Sequence, residues 1–249
     1  MIDLNSDMGE SFGSWTMGAD EALLSHVTSA NIACGFHGGD PRVMDATVAM
    51  AAERGVVIGA HVSYPDLVGF GRRSMKVSPA ELITDVLYQI GALEAFCRRH
   101  GTEIRYVKAH GALYNDLAGD QQLAAALGEA VTSYGGLAVL MLGGSPAADV
   151  LRDQGVQVVR EGFADRGYTA AGRLVPRSQA GAVLTDPAAV AERGWRIATS
   201  APIAADDGSE LVLDADSLCV HGDTPGAVEL ARELRALLTA REVEVAPFA

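Results

Sequence analysis

The sequence predicts an α/β fold in which parallel strands and helical crossovers alternate and close into a β/α barrel. Short β-rich runs alternate with amphipathic or alanine-rich segments along all 249 residues, and a chain of this length has room for about seven or eight such strands. No linker, internal repeat or break in composition divides the chain, so we expect a single domain over residues 1–249. An open doubly wound sheet has the same alternation and is the competing fold.

The predicted strands are short runs rich in β-branched and other apolar residues, bounded by turn residues. They span residues 2–7, 27–34, 56–61, 104–110, 137–142, 156–161 and 218–221, with an inserted β-hairpin at about 203–213. In the first strand, polar residues occupy every second position. Asp3, Asn5 and Asp7 therefore share one face, and Ile2 and Leu4 lie on the other.

The predicted helices begin and end at recognisable capping residues. Asp40 precedes a proline and is the expected N-cap of one helix, which Gly55 ends. Ser78 and Glu81 form a capping box at the start of another helix. The predicted helices span residues 41–54, 79–100, 120–134, 146–154 and 186–200, and a terminal helix opens at 224–225.

The charge balance and the cysteines limit the partners and the compartment that we expect. The chain has 19 basic and 32 acidic residues, a net charge of −13 that repels nucleic acids and anionic lipids. The longest apolar run, 137–142, is too short to span a bilayer, and the N-terminus lacks the pattern of a secretory signal. Cys34, Cys97 and Cys219 form no Cys-x-x-Cys pair, which is typical of a reducing compartment. We therefore expect a cytoplasmic protein that binds neither nucleic acid nor membrane.

Four of the six histidines lie at or just beyond the carboxyl ends of predicted strands: His37, His61, His110 and His221. In parallel β/α folds the carboxyl ends of the strands meet at one face, and this face carries the functional site. We therefore expect the four imidazoles to share one mouth of the barrel. Lys108, one of only two lysines, lies two residues before His110 and shares its face of the strand.

Carboxylates follow the same strand ends, and two kinds of chemistry fit the set. Aspartate and histidine suit a divalent metal such as zinc or manganese, with Asp7, His61 and His110 as candidate ligands. The same groups suit metal-free acid–base catalysis, with Lys108 stabilising negative charge. In a purely structural role, Lys108 pairs with Asp3 or Asp7 instead. Five loop arginines are candidates for clamping a substrate carboxylate: Arg72, Arg73, Arg166, Arg173 and Arg177.

Eight blocks of the sequence resemble the LamB/YcsF family, in the family's order and over essentially the whole chain. They include DLNSDMGESFG at 3–13, SANIACGFHGGDP at 29–41, HGALYN at 110–115 and EGFADR at 161–166, with further blocks at 63–66, 69–73, 174–177 and 220–227. Two positions depart from the family pattern, which usually has proline at 109 and often at 62. This chain has Ala109 and Val62 there.

The resemblance implies a seven-stranded β/α barrel similar to that of polysaccharide deacetylases and certain glycoside hydrolases. It also implies ATP-dependent opening of 5-oxo-L-proline to L-glutamate, with Mg²⁺ accompanying ATP, and partner subunits B and C. The candidate catalytic residues are then Asp7, Glu10, His37, His61, Lys108, His110, Glu161, His221 and Asp223. The candidate substrate-binding residues are Asn5, Tyr64, Arg72, Arg73, Arg166 and Arg173.

Two alternatives remain beside this interpretation. One is a stand-alone metal-dependent deacetylase or amidohydrolase acting on a carbohydrate or small amide. The other is a non-catalytic scaffold subunit, against which the convergent histidines, carboxylates and lysine argue, because a scaffold needs no such set.

Overall fold

The computed structural model describes residues 1–224 and 226–249. Nine strands are present in these residues: β1 (Asp3–Met8), β2 (Ser29–Ala33), β3 (Val57–Val62), β4 (Ile104–Ala109), β5 (Ala138–Leu142), β6 (Val158–Phe163), β7 (Ile203–Ala204), β8 (Glu210–Leu211) and β9 (Ser217–Cys219). Seven of them form a closed parallel barrel in the order β1-β2-β3-β4-β5-β6-β9. Because β9 pairs with both β6 and β1, the sheet has no open edge. The predicted barrel is confirmed, and the open doubly wound sheet is excluded.

The helices lie outside the barrel; seven of those in the described residues connect successive strands, and the eighth follows the last strand. They are α1 (Asp20–Leu23), α2 (Pro41–Glu53), α3 (Pro79–Arg99), α4 (Gly111–Gly119), α5 (Gln121–Tyr134), α6 (Pro146–Asp153), α7 (Pro187–Ala198) and α8 (Ala227–Ala240). The predicted caps are present: the Asp40 carboxylate accepts two backbone N–H bonds, and Ser78 and Glu81 cap each other. No helix in the described part of the chain is long and apolar enough to cross a membrane.

Several boundaries differ from the sequence prediction. The sequence did not predict α4, because this helix begins at Gly111, which has φ +57°, and its N-cap His110 makes no side-chain cap bond. Strand β6 begins and ends two residues later than predicted. The predicted start of the last helix at 224–225 falls partly on Pro225, which lies outside the described residues, and α8 begins at Ala227.

The inserted segment forms the short antiparallel pair β7–β8, joined through Asp207 and Gly208, at the position of the predicted hairpin. The single-domain organisation remains a prediction.

The barrel interior is divided between an apolar part and a polar part. Tyr106, Leu140 and Val159 form a small apolar cluster with Ala138, and Phe248 packs edge-on against Tyr106. The opposing position on β3 is Gly59, where a Cβ would lie 2.2 Å from the Tyr106 ring, so glycine makes room for the tyrosine. The rest of the interior is polar and begins at β1. As the alternation predicts, Asp3, Asn5 and Asp7 face inwards while Leu4 packs in the core outside the barrel.

Candidate active site at the carboxyl ends of the strands

A cavity of about 380 Å³ opens at the carboxyl ends of the barrel strands. This volume suits a small molecule rather than a polymer segment. The lining comes from strands or loops that are distant in sequence. Its polar residues are Asp7, Glu10, His61, Arg72, Lys108, His110, Tyr114, Asn115, Arg166, Arg177, His221 and Asp223.

The floor of the cavity is built around the Lys108 ammonium, which is almost completely buried. Its Nζ lies 2.9 Å from Asp7 Oδ1 and 2.7 Å from Glu161 Oε1. It also donates to Asn5 Oδ1 at 3.2 Å. Burial alone would lower the pKa of Lys108, but the two carboxylates and their neighbours outweigh burial and hold this pKa well above its ordinary value. Lys108 is therefore a fixed positive charge.

The two carboxylates beside Lys108 are held by further partners. Burial would raise the pKa of Asp7, but the neighbouring His61 imidazole and the Lys108 ammonium hold it well below the ordinary range. The Tyr114 hydroxyl donates to Glu161 Oε2 at 2.7 Å. Both carboxylates therefore keep defined positions at the cavity floor.

A ladder of neutral polar groups supports this floor from below. Asn31 donates to Asn5 Oδ1 and to Asp7 Oδ1, both at 2.8 Å. Asn5 in turn donates to Ser217 Oγ at 2.7 Å, and the Tyr106 hydroxyl donates to Asn31 Oδ1 at 2.6 Å. Asn5, a predicted substrate-binding residue, thus lies beneath the site and orients the residues above it.

Three of the predicted histidines form one compact group with Glu10. His37 stacks on His110 with ring centroids 3.8 Å apart, and His61 meets His110 edge-on. Glu10 Oε1 lies 3.3 Å from His37 Nε2 and from His110 Nδ1. Burial and the neighbouring imidazoles lower the pKa of His37 to about 3, so His37 is neutral.

The loop after β3 packs directly on this group. A Cβ at Gly71 would lie 2.4 Å from Ser63 Oγ and 2.8 Å from the His110 ring, and Gly71 has φ +63°, so only glycine fits there. Phe70 also has a positive φ, +53°, and its carbonyl oxygen lies 2.9 Å from His110 Nε2. This loop therefore fixes the orientation of the His110 ring.

His221, the fourth predicted histidine, lines the cavity with a partner of its own. Its Nδ1 lies 3.0 Å from both carboxylate oxygens of Asp165, and its ring stacks on Phe163. Asp165 is fully buried, and although burial would raise its pKa, His221 holds it below the ordinary value. Because Nδ1 faces a carboxylate, the ring nitrogen left to act on a ligand is Nε2.

The cavity rim carries positive charge on flexible side chains. Arg72 is paired with Asp223 and lies over the Phe70 ring at 5.0 Å. Arg177 lies 3.9 Å from the same carboxylate. Both guanidinium groups are partly exposed, so an anionic ligand can compete with Asp223 for them.

The sequence and the fold were compared with those of known proteins. Residues 2–249 match the LamB/YcsF family model. The chain belongs to the LamB/YcsF family. It is 55% identical to the 5-oxoprolinase A subunit of Streptomyces avermitilis, with 100% of each chain covered. It is 54% identical to the 5-oxoprolinase A subunit numbered 3 in Pseudomonas syringae pv. tomato, covering 100% of this chain and 97% of that one. A crystal structure of a lactam utilization protein from Thermus thermophilus superposes with a TM-score of 0.94 at 44% identity, and 99% of each chain is covered.

Not every residue predicted for the site of this LamB/YcsF protein reaches the cavity. Arg73 is exposed and pairs with Asp66, and Arg173 is exposed away from the lining. The buried Tyr64 donates its hydroxyl to Asp116 at 3.0 Å. Asp66 and Asp116 hold Arg73 and Tyr64 away from the cavity, and Arg173 lies on an exposed loop outside the lining.

Arg166 lines the cavity, but its guanidinium group also donates hydrogen bonds to the backbone of the neighbouring loop. Its Nε donates to the Ala182 carbonyl at 2.9 Å and its Nη2 to the Val175 carbonyl at 2.7 Å. Arg166 thereby ties down the loop that closes one side of the cavity. Its position supports a role in shaping the site.

Asp165 and Tyr114 also contact the candidate site residues, although they were not among the predicted site residues. Asp165 follows Glu161 and Phe163 at period two, so strand parity was a usable signal for it. Tyr114 lies in α4, the helix that the sequence did not predict, and no pattern marked it.

The first prediction concerns the only two lysines in the chain. Replacing Lys108 (Lys108→Met) leaves Asp7 and Glu161 as buried carboxylates without their counter-charge, and we expect the free energy of unfolding to fall by about 3–5 kcal/mol at pH 7. The exposed Lys76 is the matched control, and Lys76→Met should change the free energy of unfolding by less than about 0.5 kcal/mol. Urea unfolding of both variants measures the difference.

The loss of stability in Lys108→Met should also depend on pH. In the wild type the pKa of Asp7 is lower in the folded than in the unfolded chain, so its contribution is complete above the unfolded value and is lost as the pH falls. In Lys108→Met the ionised Asp7 contributes less to stability. The difference in free energy of unfolding between the wild type and Lys108→Met should therefore shrink as the pH falls. A difference that stays constant with pH contradicts the ion-pair account.

Proposed function

We propose that this chain is the A subunit of an ATP-dependent 5-oxoprolinase, which hydrolyses the lactam of 5-oxo-L-proline to L-glutamate. The observation that carries the proposal is full-length similarity to proteins named as the A subunit of 5-oxoprolinase, combined with an intact set of polar groups around one cavity. The proposal includes ATP with Mg²⁺ as co-substrate, subunits B and C as partners, and a cytoplasmic location.

The cavity suits a small anion of this kind. A five-membered lactam with one carboxylate fits easily within about 380 Å³. Arg72 and Arg177 at the rim are placed to bind the carboxylate, with Asp223 as the group they release. Phe163 and Leu174 offer apolar surface to the ring.

An unstrained lactam resists water because amide resonance must be broken, and ATP supplies the activation. Transfer of the γ-phosphoryl group to the lactam oxygen releases ADP and leaves an electrophilic imidate carbon. One water adds to this carbon, and the carbon–nitrogen bond breaks as the ring nitrogen takes a proton, which gives a glutamyl phosphate. A second water then hydrolyses the acyl phosphate to glutamate and inorganic phosphate.

Two groups of the chain have suitable positions for the hydrolytic steps. His221, oriented by Asp165, accepts the proton of the attacking water at Nε2 and returns it to the ring nitrogen. Lys108 is a permanent positive charge at the cavity floor and stabilises the developing oxyanion. Of the other catalytic candidates, Glu10, His61 and His110 line the cavity beside these two groups, whereas Glu161 contacts Lys108 and His37 contacts His110 from outside the lining.

The function is tested by measuring glutamate and ADP from 5-oxo-L-proline and ATP with this chain alone, with its two partner subunits, and with the partners alone. We expect glutamate only when ATP and all three subunits are present. ATP-independent cleavage of amides by this chain alone indicates a stand-alone amidohydrolase instead. Full glutamate release by the partners alone indicates a scaffold.

In the same assay, His221→Ala should lower kcat by about 10²–10⁴-fold, because the general base is lost. Asp165→Asn should lower kcat in the same direction and change its pH profile, because the imidazole loses the carboxylate that orients it. His100, which pairs with Asp45 at the surface, gives the control His100→Ala, with unchanged kcat. A His221→Ala enzyme that keeps wild-type kcat removes this residue from the mechanism.

Adjacent arginines test the carboxylate-binding role of the rim. Loss of a charged hydrogen bond of about 1.5–3 kcal/mol should raise KM for 5-oxo-L-proline about 10–100-fold in Arg72→Met, with a smaller effect on kcat. Arg73 is held by Asp66 away from the cavity, so Arg73→Met should leave KM unchanged. Equal effects of the two substitutions would contradict the assignment.

A further inference from the structure

Two imidazoles at the cavity wall face each other through nitrogens that both carry lone pairs. His61 Nε2 and His110 Nδ1 are 3.0 Å apart. The other nitrogen of each ring lies against a backbone carbonyl, the Lys108 oxygen at 3.2 Å for His61 and the Phe70 oxygen at 2.9 Å for His110. A carbonyl oxygen only accepts, so these two contacts favour the tautomer in which the proton of each neutral ring is on that side. The facing lone pairs repel each other unless a cation lies between them.

A single proton shared by His61 and His110 does not provide a hydrogen bond for the neighbouring Glu10 carboxylate. Glu10 Oε1 lies 3.3 Å from His110 Nδ1 and 3.8 Å from His61 Nε2, yet it makes no hydrogen bond in residues 1–224 and 226–249. One proton between the two rings leaves this buried carboxylate oxygen unpaired, because its neighbour His37 Nε2, 3.3 Å away, also makes no hydrogen bond within the described residues. An unpaired buried oxygen is costly. A metal ion engages both nitrogens and the oxygen together.

The separations of these atoms lie within about 0.3 Å of those expected around one metal ion. Ligand atoms at about 2.0–2.2 Å from a tetrahedral zinc are about 3.3–3.6 Å apart. The separations here are 3.0, 3.3 and 3.8 Å. The carbonyl contact on the second nitrogen of each ring is also the usual arrangement for histidines that ligate a metal, because it fixes the tautomer.

The local charge is also that of a site for a divalent cation. Asp7, Glu10 and Glu161 bring three carboxylates to this end of the barrel, and the buried ammonium of Lys108 opposes them. Asp7 Oδ1 already accepts from Lys108 and Asn31, so Asp7 is not needed as a ligand. The excess of negative charge is left for a bound ion to neutralise.

We propose that His61 Nε2, His110 Nδ1 and Glu10 Oε1 bind one divalent transition-metal ion, for which zinc is the best match. These three residues line the cavity. His37 is outside the lining and stacks on His110, with its Nε2 3.3 Å from the same Glu10 oxygen. Three protein ligands leave a fourth position open to the cavity, as in catalytic rather than structural zinc sites. That position takes water or an oxygen atom of a substrate.

The proposed ligands differ in one residue from those that the sequence predicts, because Glu10 replaces Asp7 beside His61 and His110. The metal site does not depend on the proposed lactam chemistry, since binding is measured without ATP, substrate or partner subunits.

The test begins with the purified full chain, stripped with a chelator and titrated with Zn²⁺ or Co²⁺. We expect about one ion per chain by elemental analysis, and visible ligand-field bands of bound Co²⁺ that Zn²⁺ abolishes. Glu10→Gln keeps the size of the side chain and removes its charge, and His61→Ala and His110→Ala each remove a ligand. Each substitution should weaken Zn²⁺ binding by more than about 100-fold.

His26 and His100 lie outside the cavity and provide the matched controls His26→Gln and His100→Gln, which should bind the ion as the wild type does. If the histidine variants fail to fold, the wild-type cobalt spectrum and Glu10→Gln still decide the outcome. Less than about a tenth of an ion per chain, or equal binding by wild type and Glu10→Gln, overturns the proposal. Loss of the ion in the control variants also overturns it, because the ion is then bound at the surface.

Discussion

The ammonium of Lys108, buried between the carboxylates of Asp7 and Glu161, is the interaction on which the rest of the site depends. It joins β1, β4 and β6 across the inside of the barrel, at the depth where β/α barrels usually have branched apolar side chains. Without this partner, the two buried carboxylates would lose several kcal/mol of solvation that their other hydrogen-bond partners offset only in part. The backbone carbonyl of the same lysine contacts His61, so one residue positions both the charged floor and the histidine wall.

The polar part of the interior is organised in layers from that point. Below Lys108, the amides of Asn5 and Asn31 and the hydroxyl of Ser217 pass hydrogen bonds from strand to strand. Above Lys108, side chains line the cavity and have their partners in the loops beyond the strands. An example is His221, whose partner Asp165 follows β6. The lower layer therefore contributes rigidity, and the upper layer leaves ring nitrogens and guanidinium groups free to act on a ligand.

The sequence predicted what regular periodicity controls. Strand–helix alternation predicted a parallel β/α fold, and the number of strands favoured the closed barrel over an open sheet. Strand parity predicted the inward stripe of Asp3, Asn5 and Asp7. The sequence did not predict the conformations of the irregular loops. The loop positions of Arg73 and Arg166 are set by contacts with Asp66 and with the Val175 carbonyl, which no local pattern encodes. Ala109 and Val62, at two positions where the family often has proline, are register partners at the ends of β4 and β3, and the Val62 carbonyl accepts the His110 N–H at 2.7 Å.

The most direct measurement of the central claim is an NMR titration of the lysine side chains, which is simple because the chain has only two. With isotopically labelled lysine, the Lys76→Met substitution assigns the Lys108 signal. The account predicts that the Lys108 signal remains that of an ammonium beyond the ordinary value of 10.5, up to the pH at which the protein unfolds. A Lys108 signal that titrates below 10.5 in the folded protein would contradict the account, since burial would then outweigh the two carboxylates.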